Sequence, residues 1–347
     1  MKITFDGFWL RDGPISNATV LRELLRNWVD LYPNDDLTVV VPYGFSIPFS
    51  SPNVRYKRVP KVLHPIFNIV FVSVYGFANK SDLVIFQNFV GLSKNANLYI
   101  HDFIFLDHPE WFLKYQLVYF RLMRFLAKGL KCQIFTSTES EARRIKRFLP
   151  NREVNKAPIG MRQELVNATP VRPSQLDKDF GKFVFAAGRD DPRKNLNIAI
   201  KSFLSCESVN AEFKMVVLGL SEQKYLERHL DYEPSNVVVF VDRCSDDELC
   251  WLYQNATLFV FISLDEGFGM PVLESLYFKT PSLVSDIEVF KEITGGNTNF
   301  ADPRSMHSVR QALNSILEST PSPHQNEMPR EIFSWKNSIE VLRNASK

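Results

Sequence analysis

The sequence predicts an α/β protein with two doubly wound domains, each a parallel sheet covered by helices on both faces. Short apolar, β-rich runs such as residues 37–41 and 258–262 recur along the chain, which is the pattern of strands buried on both faces. Amphipathic segments with helical spacing lie between these runs, and such alternation is typical of parallel sheets. The chain has 347 residues, enough for two domains with separate cores.

Composition narrows the class of protein. The chain is 45% hydrophobic and 23% charged, which is typical of a globular protein. Its net charge is only +2, so the overall charge does not indicate a nucleic-acid-binding protein. The cysteines Cys132, Cys206, Cys244 and Cys250 show neither Cys-x-x-Cys spacing nor a zinc pattern, and they favour a reducing cytoplasm. The first residues are too polar for a signal peptide, and no apolar run is long enough to predict a transmembrane helix.

The first domain is predicted from residue 1 to 165. Its expected elements are a first strand at residues 1–7, a helix at 18–31, strands at 37–41 and 54–59, a helix that precedes a strand at 83–86, a strand at 97–100 and a helix at 111–131. In doubly wound sheets, ligands gather at the carboxyl ends of strands. His101 follows the strand at 97–100, where it could donate a hydrogen bond to a sugar hydroxyl, although a structural role is equally compatible with a lone histidine.

A polar, proline-bearing stretch at residues 166–181 predicts the linker, and the second domain is expected at 182–330. Its first strand, at 182–188, ends in a glycine and is followed by Arg189 and, a few residues later, Lys194. The guanidinium of Arg189 and the ammonium of Lys194, both at the end of a strand, could bind a diphosphate. The alternative is that they belong to a charged surface turn. Further strands are predicted at 213–219, 237–241, 258–262, 282–285 and 299–303.

The stretch 263–275 carries the strongest chemical signal. Glu266-Gly267-Phe268-Gly269 separates the buried strand from a helix predicted at 271–279, with proline at its first position. Glycines allow close approach of the backbone to a ligand, and a helix N-terminus favours phosphate. Glu266 and Glu274 bracket this corner and could accept hydrogen bonds from sugar hydroxyls. The corner therefore indicates a nucleotide-sugar site, and the alternative is a corner whose glutamates face solvent.

The pattern Glu-x7-Glu, formed by Glu266 and Glu274, resembles the signature of the retaining GT-B glycosyltransferases of family 4. The resemblance implies two Rossmann-like domains facing each other across a cleft, with a C-terminal helix at 331–347 that crosses back to the first domain. It places Glu274 at the ribose hydroxyls, Glu266 at the donor sugar, and His101 against the donor hexose. The donor and nucleotide contacts that it implies are Gly13, Arg189, Lys194, Arg243, Glu266, Gly267, Phe268, Gly269, Met270, Leu273 and Glu274.

Residues 101–112 resemble a subgroup found among bacterial mannosyl- and rhamnosyltransferases. The implied function is transfer of a hexose, mannose or rhamnose, from a nucleotide sugar to a glycan or lipid-linked saccharide in O-antigen or capsule synthesis. The implied catalytic residues are His101, Glu266, Arg189 and Lys194, with no metal and no cofactor. A nucleotide-sugar epimerase of the same fold and a non-catalytic nucleotide-sugar binder remain alternatives.

The helix predicted at 111–131 is aromatic and basic, without an acidic residue. Such a helix could lie against anionic lipid headgroups, and the alternative is a buried helix with solvated charges. The sequence therefore predicts a cytoplasmic protein, with contact through residues 111–131 to the inner face of the cytoplasmic membrane as the corresponding hypothesis.

Overall fold

The computed structural model describes residues 1–12, 15–45, 47, 49–177, 180–189, 191–206, 212–319 and 331–345. The chain divides into two compact units. The first unit comprises residues 1–162 and 330–347, and the second comprises residues 163–329. The segment 166–181, predicted as a linker, is attached to the second unit, because Thr169 N donates to Asp247 Oδ1 (2.9 Å) and Val171 N donates to Asp247 O (3.1 Å).

Each unit is built on one sheet whose strand pairs are all parallel, which confirms the predicted fold class. The sheet of the first unit has the order β3-β2-β1-β4-β5-β6-β7, and that of the second unit β10-β9-β8-β11-β12-β13. The strands are β1 Lys2–Asp6, β2 Asp36–Pro42, β3 Val54–Val59, β4 Leu83–Gln87, β5 Ala96–Tyr99, β6 Gln133–Thr136, β7 Val154–Lys156, β8 Lys182–Ala187, β9 Phe213–Leu218, β10 Val238–Val241, β11 Leu258–Phe261, β12 Ser282–Ser285 and β13 Asn299–Ala301.

Helices connect the strands and cover both sheets, so that each unit has its own apolar core. The α-helices of the described chain are Trp9–Asp12, Ile15–Leu31, His64–Ile66, Ser73–Ala78, Ile104–Asp107, Lys114–Gly129, Glu139–Phe148, Gln163–Val166, Leu196–Leu204, Glu222–Arg228, Asp246–Asn255, Met270–Tyr277, Glu288–Thr294, Met306–Glu318 and Trp335–Asn344, with 3₁₀ turns at Pro109–Trp111 and Pro192–Lys194.

The helix after β3 has an irregular centre that the sequence does not predict. Between the α-helical turns His64–Ile66 and Ser73–Ala78 the backbone forms a π-helix, Phe67–Val72. Asn68 lies in it and donates from Nδ2 to Phe89 O (2.5 Å), while Ser73 Oγ donates to Asn68 O (2.6 Å). These bonds satisfy polar groups at the widened turn and hold it against the chain that follows β4.

The last helix, Trp335–Asn344, completes the first unit. Trp335 Nε1 donates to Met161 O (2.7 Å), and Asn97 Nδ2 donates to Leu342 O (2.7 Å). A Cβ atom at Gly160 would lie 2.8 Å from the Trp335 ring and backbone, so this close approach requires glycine. Residues from the end of the chain are thereby part of the core that its beginning forms.

Candidate functional site

In the second unit, the corner between β11 and the helix Met270–Tyr277 is buried and depends on one glycine. Gly269 is the N-cap of that helix, with φ 100° and ψ 60° in the left-handed region. A Cβ atom at Gly269 would approach the Phe290 ring to 2.5 Å, so both the conformation and the space exclude a side chain. The helix therefore begins directly after the loop, with its N-terminal amides directed toward the loop.

Glu266 lies in that loop and is only 6% exposed. Its Oε1 atom accepts hydrogen bonds from Lys194 Nζ (2.5 Å) and Ser263 Oγ (2.9 Å), and Arg193 Nη1 lies 3.8 Å from Oε2. Burial alone would raise the pKa of Glu266. The charges of Lys194 and Arg193 and the two hydrogen bonds outweigh burial, so the pKa is lowered and the carboxylate is ionised at neutral pH.

The partners of Glu266 are held by the loop after β8. Asp191 caps the 3₁₀ turn Pro192–Lys194, because its side chain accepts from Arg193 N (3.0 Å). Lys194 Nζ also lies over the Phe261 ring, 5.0 Å from its centroid. Leu264 N donates to Arg193 O (2.8 Å), so the loops after β8 and β11 are bonded directly to each other. The structure thus brings together Lys194 and Glu266, which are 72 positions apart.

Glu274 lies one turn into the helix and is also only 6% exposed. Its Oε2 atom accepts from Tyr253 OH (2.9 Å), and Tyr253 OH also lies 3.3 Å from Pro271 O. Tyr253 was not among the residues that sequence reasoning selected. Its position in the helix Asp246–Asn255 gives no motif that would have indicated it.

The remaining predicted residues of the second unit differ in exposure. Arg189 and Arg243 are exposed and follow β8 and β10. Phe268 and Leu273 are buried, and Met270 is half-buried. Gly13, predicted in the first domain, lies outside the described residues. Since β10, β8 and β11 belong to one parallel sheet, the loops after them lie at the same edge.

In the first unit, His101 lies two residues after β5 and is half-buried. Its Nε2 atom lies 2.9 Å from Gln87 Oε1, its backbone N donates to Asn88 Oδ1 (3.2 Å), and its ring contacts Tyr99 edge-on. Desolvation lowers the pKa of His101 to about 4; the negative charge of Asp6 opposes this shift and His64 adds to it. The imidazole is therefore neutral at physiological pH.

A buried polar cluster that sequence reasoning missed adjoins His101. Asp6, the last residue of β1, accepts at Oδ2 from His64 Nε2 (2.7 Å), Asn68 Nδ2 (2.9 Å) and Gln87 N (3.2 Å). His64 Nδ1 lies 3.3 Å from Tyr119 OH. The ends of β1, β4 and β5 meet here because these strands are neighbours, although the residues are far apart in sequence.

Among the described residues, no three or more His, Cys, Asp or Glu side chains lie close enough together to hold a metal ion.

Comparison with known proteins gives related sequences. Residues 170–331 match the profile of the family described as Glycosyl transferases group 1. The chain is 26% identical over 245 residues to the O-antigen chain mannosyltransferase RfbU of Salmonella typhimurium, covering 69% of this chain and 66% of the relative. It is 27% identical over 172 residues to the serotype-specific mannosyltransferase WbdA of Escherichia coli, covering 46% of this chain and 21% of the relative. The chain thus spans less than two thirds of the length of these curated relatives.

Solved structures resemble the chain over its whole length. Sucrose-phosphate synthase from Thermosynechococcus elongatus matches with a TM-score of 0.70 and 15% identity, covering 100% of this chain and 95% of the other. WaaG, a glycosyltransferase involved in lipopolysaccharide biosynthesis, matches with a TM-score of 0.68 and 13% identity, covering 98% and 95%. At this identity the likeness shows the fold, which is GT-B.

Proposed function

We propose that the chain, whose residues 170–331 match the group 1 glycosyl transferase family, is a retaining glycosyltransferase. It moves a hexose from a nucleotide-sugar donor to a glycan or lipid-linked saccharide in surface polysaccharide synthesis. Mannose is the favoured hexose, because the relatives RfbU and WbdA are mannosyltransferases, and rhamnose is the second candidate.

One observation carries the proposal: the buried carboxylate of Glu266 pairs with the half-buried cations Lys194 and Arg193 beside a helix N-terminus that begins at Gly269. A carboxylate repels phosphate but accepts hydrogen bonds from sugar hydroxyls, whereas an ammonium and helix amides favour phosphate. A ligand that satisfies both kinds of group carries a sugar next to a diphosphate. Glu274, next to Tyr253, supplies a second carboxylate for the ribose hydroxyls.

The proposed reaction follows from these roles. The bond between the anomeric carbon and the diphosphate oxygen breaks, and a bond to the acceptor oxygen forms on the same face of the sugar. The acceptor's proton passes to the departing phosphate. Negative charge grows on the leaving diphosphate, where Arg189, Lys194 and the helix amides stabilise it without a metal. The ammonium of Lys194 has three N–H groups, so it can keep its bond to Glu266 and still donate to phosphate.

The first experiment measures thermal unfolding with GDP, UDP and dTDP, because a ligand that binds the folded state raises its melting temperature. Turnover is then followed with the sugar donor of the stabilising nucleotide and a saccharide acceptor, by mass spectrometry and with and without EDTA. A product with one added hexose of retained configuration supports the proposal. An isomerised donor without acceptor would favour the epimerase, and binding without turnover of any donor–acceptor pair would favour the binder.

We further propose that the helix Lys114–Gly129 contacts an anionic membrane, at the inner face of the cytoplasmic membrane. Its side chains Tyr115, Val118 and Phe125 are 69%, 67% and 71% exposed at helical spacing, and the exposed cations Arg121 and Lys128 lie on the same helix beside them. A second exposed apolar row lies on the neighbouring segment 63–77, where Phe77 is 88% exposed. None of the described helices has both the length and the apolar character needed to cross a bilayer, so this contact would be peripheral.

Vesicle cosedimentation tests the contact. We expect binding to vesicles with about 30% phosphatidylglycerol, weaker binding to pure phosphatidylcholine, and loss on raising salt. Val118→Ser with Phe125→Ser removes two apolar anchors and should weaken binding about tenfold or more. The control is Leu230→Ser, which removes an even more exposed apolar residue, 92% exposed, from the second unit. Equal binding by all three proteins would contradict the proposed surface.

A further inference from the structure

The ends of β4 and β5 contain a buried amide whose role the proposed function does not explain. We propose that Gln87 is a positioning residue for His101: its side-chain amide binds His101 Nε2, fixes the imidazole in one tautomer, and leaves Nδ1 as the nitrogen that meets the donor sugar. The role of Nδ1 rests on the proposed function, whereas the pairing of amide and imidazole can be tested without any substrate.

The geometry defines the position of the ring. Gln87 is the last residue of β4 and is paired in register with Tyr99, two residues before His101. Its Oε1 atom lies 2.9 Å from His101 Nε2. The backbone N of His101 donates to Asn88 Oδ1, and its ring makes an edge-to-face contact with Tyr99, so both the backbone and the ring are held. Nδ1 is the ring nitrogen that remains for a ligand.

The burial of Gln87 argues that this contact has a function. Gln87 is only 2% exposed, and its Nε2 atom is buried with no hydrogen-bond partner among the described residues. An unsatisfied buried donor destabilises the folded state, because it loses its hydrogen bonds to water without gaining others. A leucine or methionine of similar size would fill the site without that cost. The glutamine is therefore explained by its Oε1 atom, whose partner is His101.

The protonation state of His101 determines whether Nδ1 donates or accepts a hydrogen bond. The charged or titratable groups that act on His101 are Asp6 at the end of β1 and His64 in the helix after β3, with Tyr99 against the ring and Asp102 next in sequence. Since the imidazole is neutral, it has one N–H and one lone pair. With Nε2–H donated to Gln87, Nδ1 is an acceptor for a sugar hydroxyl.

Two substitutions separate this role from packing. Gln87→Glu keeps the acceptor for Nε2–H but adds a negative charge next to the ring, which should raise the pKa of His101 by about one unit or more. Gln87→Leu keeps the volume and removes the acceptor. Gln133→Glu is the matched control, because it makes the same change at the start of β6, at the opposite edge of the sheet.

Nitrogen NMR of the imidazole, assigned with His101→Asn, reports tautomer and pKa, and kcat and KM are measured with the active donor from pH 4.5 to 9. In Gln87→Glu, the midpoint of the His101 titration and the acid limb of kcat should rise together, and activity should recover to within a few-fold of wild type at high pH. In Gln87→Leu, kcat should fall about tenfold at every pH while KM changes less, and the Nε2–H tautomer should be lost. Gln133→Glu should match wild type.

The proposal is overturned if His101 keeps its tautomer and pKa in Gln87→Leu, if that variant turns over like wild type, or if Gln87→Glu is impaired equally at every pH. Gln87→Met replaces Gln87→Leu should the latter melt early. Failure of the wild type to transfer any sugar would refute the proposed function alone, because the NMR measurement still decides whether Gln87 positions His101.

Discussion

The carboxyl edges of the two sheets hold polar groups in opposite ways. In the second unit, Glu266, Lys194 and Arg193 are charged, close together and paired with one another. In the first unit, His101 is neutral and rests on the uncharged amide of Gln87. The same strand arrangement thus supports a corner of paired charges in the second unit and, in the first, a neutral imidazole and amide beside the buried carboxylate of Asp6. The fold supplies the edge, and the residues at the strand ends determine its chemistry.

Among the substitutions that test this comparison, Lys194→Ala should have the largest effect on activity. Turnover should fall by roughly 10²-fold or more, because a positioned charge donor at the leaving group is lost. The variant also leaves the buried Glu266 without its nearest cation, so the melting temperature should fall as well. Steady-state kinetics and thermal unfolding measure both effects. Lys201→Ala removes a more exposed ion pair, with Asp231, from the same unit and should change neither; near-normal turnover of Lys194→Ala would show that the diphosphate is held elsewhere.

Arg189→Ala sharpens the comparison within the charged corner. Turnover should again fall by roughly 10²-fold. The melting temperature should not change, because Arg189 is exposed and no described side chain pairs with it. The two measurements together separate a residue that acts only on the substrate from one that also stabilises the fold. Arg304→Ala, another exposed arginine of the second unit, is the control, and a normal rate for Arg189→Ala would remove this residue from the site.

Asp6→Asn tests the buried carboxylate that lies beside His101 in the first unit. The amide cannot accept from all the donors that Asp6 Oδ2 now satisfies, so the free energy of unfolding should fall by about 1–3 kcal/mol. Since the charge of Asp6 raises the pKa of His101, that pKa should fall further. Urea unfolding and NMR measure the two effects. Asp82→Asn, which loses an acceptor for Lys2 N at the opposite edge of the sheet, should have little effect on either.

The smallest expected effect concerns acid stability of the first unit. Burial would raise the pKa of Asp35, but hydrogen bonds from Arg343, the terminal ammonium and Trp28 lower it to about 2 from 3.8. This depressed pKa contributes stability that is complete above about pH 4 and is lost as pH falls toward 2, on the order of 1–2 kcal/mol. Unfolding by urea between pH 5 and pH 2.5 should show less acid sensitivity in Asp35→Asn than in wild type. Asp30→Asn, at an exposed position of the helix Ile15–Leu31, should behave as wild type, and equal acid sensitivity in all three proteins would contradict the assignment.

Sequence reasoning predicts one of the two corners much better than the other. Glu266, Gly269 and Glu274 lie within nine positions, so their spacing alone indicates a strand, a loop and a helix N-terminus. The pairing of Lys194 with Glu266 is not visible in the sequence, although each residue was selected separately. It depends on β8 and β11 being neighbours, a property of the sheet order rather than of any short segment.

The cluster of Asp6, His64 and Gln87 could not be predicted from the sequence. These residues are separated by up to 81 positions and belong to no motif, so only the parallel pairing of β1 with β4 brings them together. Asn68 reaches Asp6 from a π-helical turn, and hydrophobic periodicity does not distinguish such a turn from an α-helix. Strands buried on both faces, such as β2 and β11, were predicted from their apolar runs, whereas β6 and β7 were not among the predicted strands. Contacts among strand ends leave no such run.

The place of the helix Trp335–Asn344 has a consequence for how the protein is made. The second unit is one uninterrupted stretch, residues 163–329, but the first cannot finish packing until residues 335–344 have left the ribosome. Before then, Asn97 lacks Leu342 and Asp35 lacks Arg343. During synthesis the first unit is therefore completed after the second, and a stop codon placed before Trp335 would damage the packing of residues 1–162.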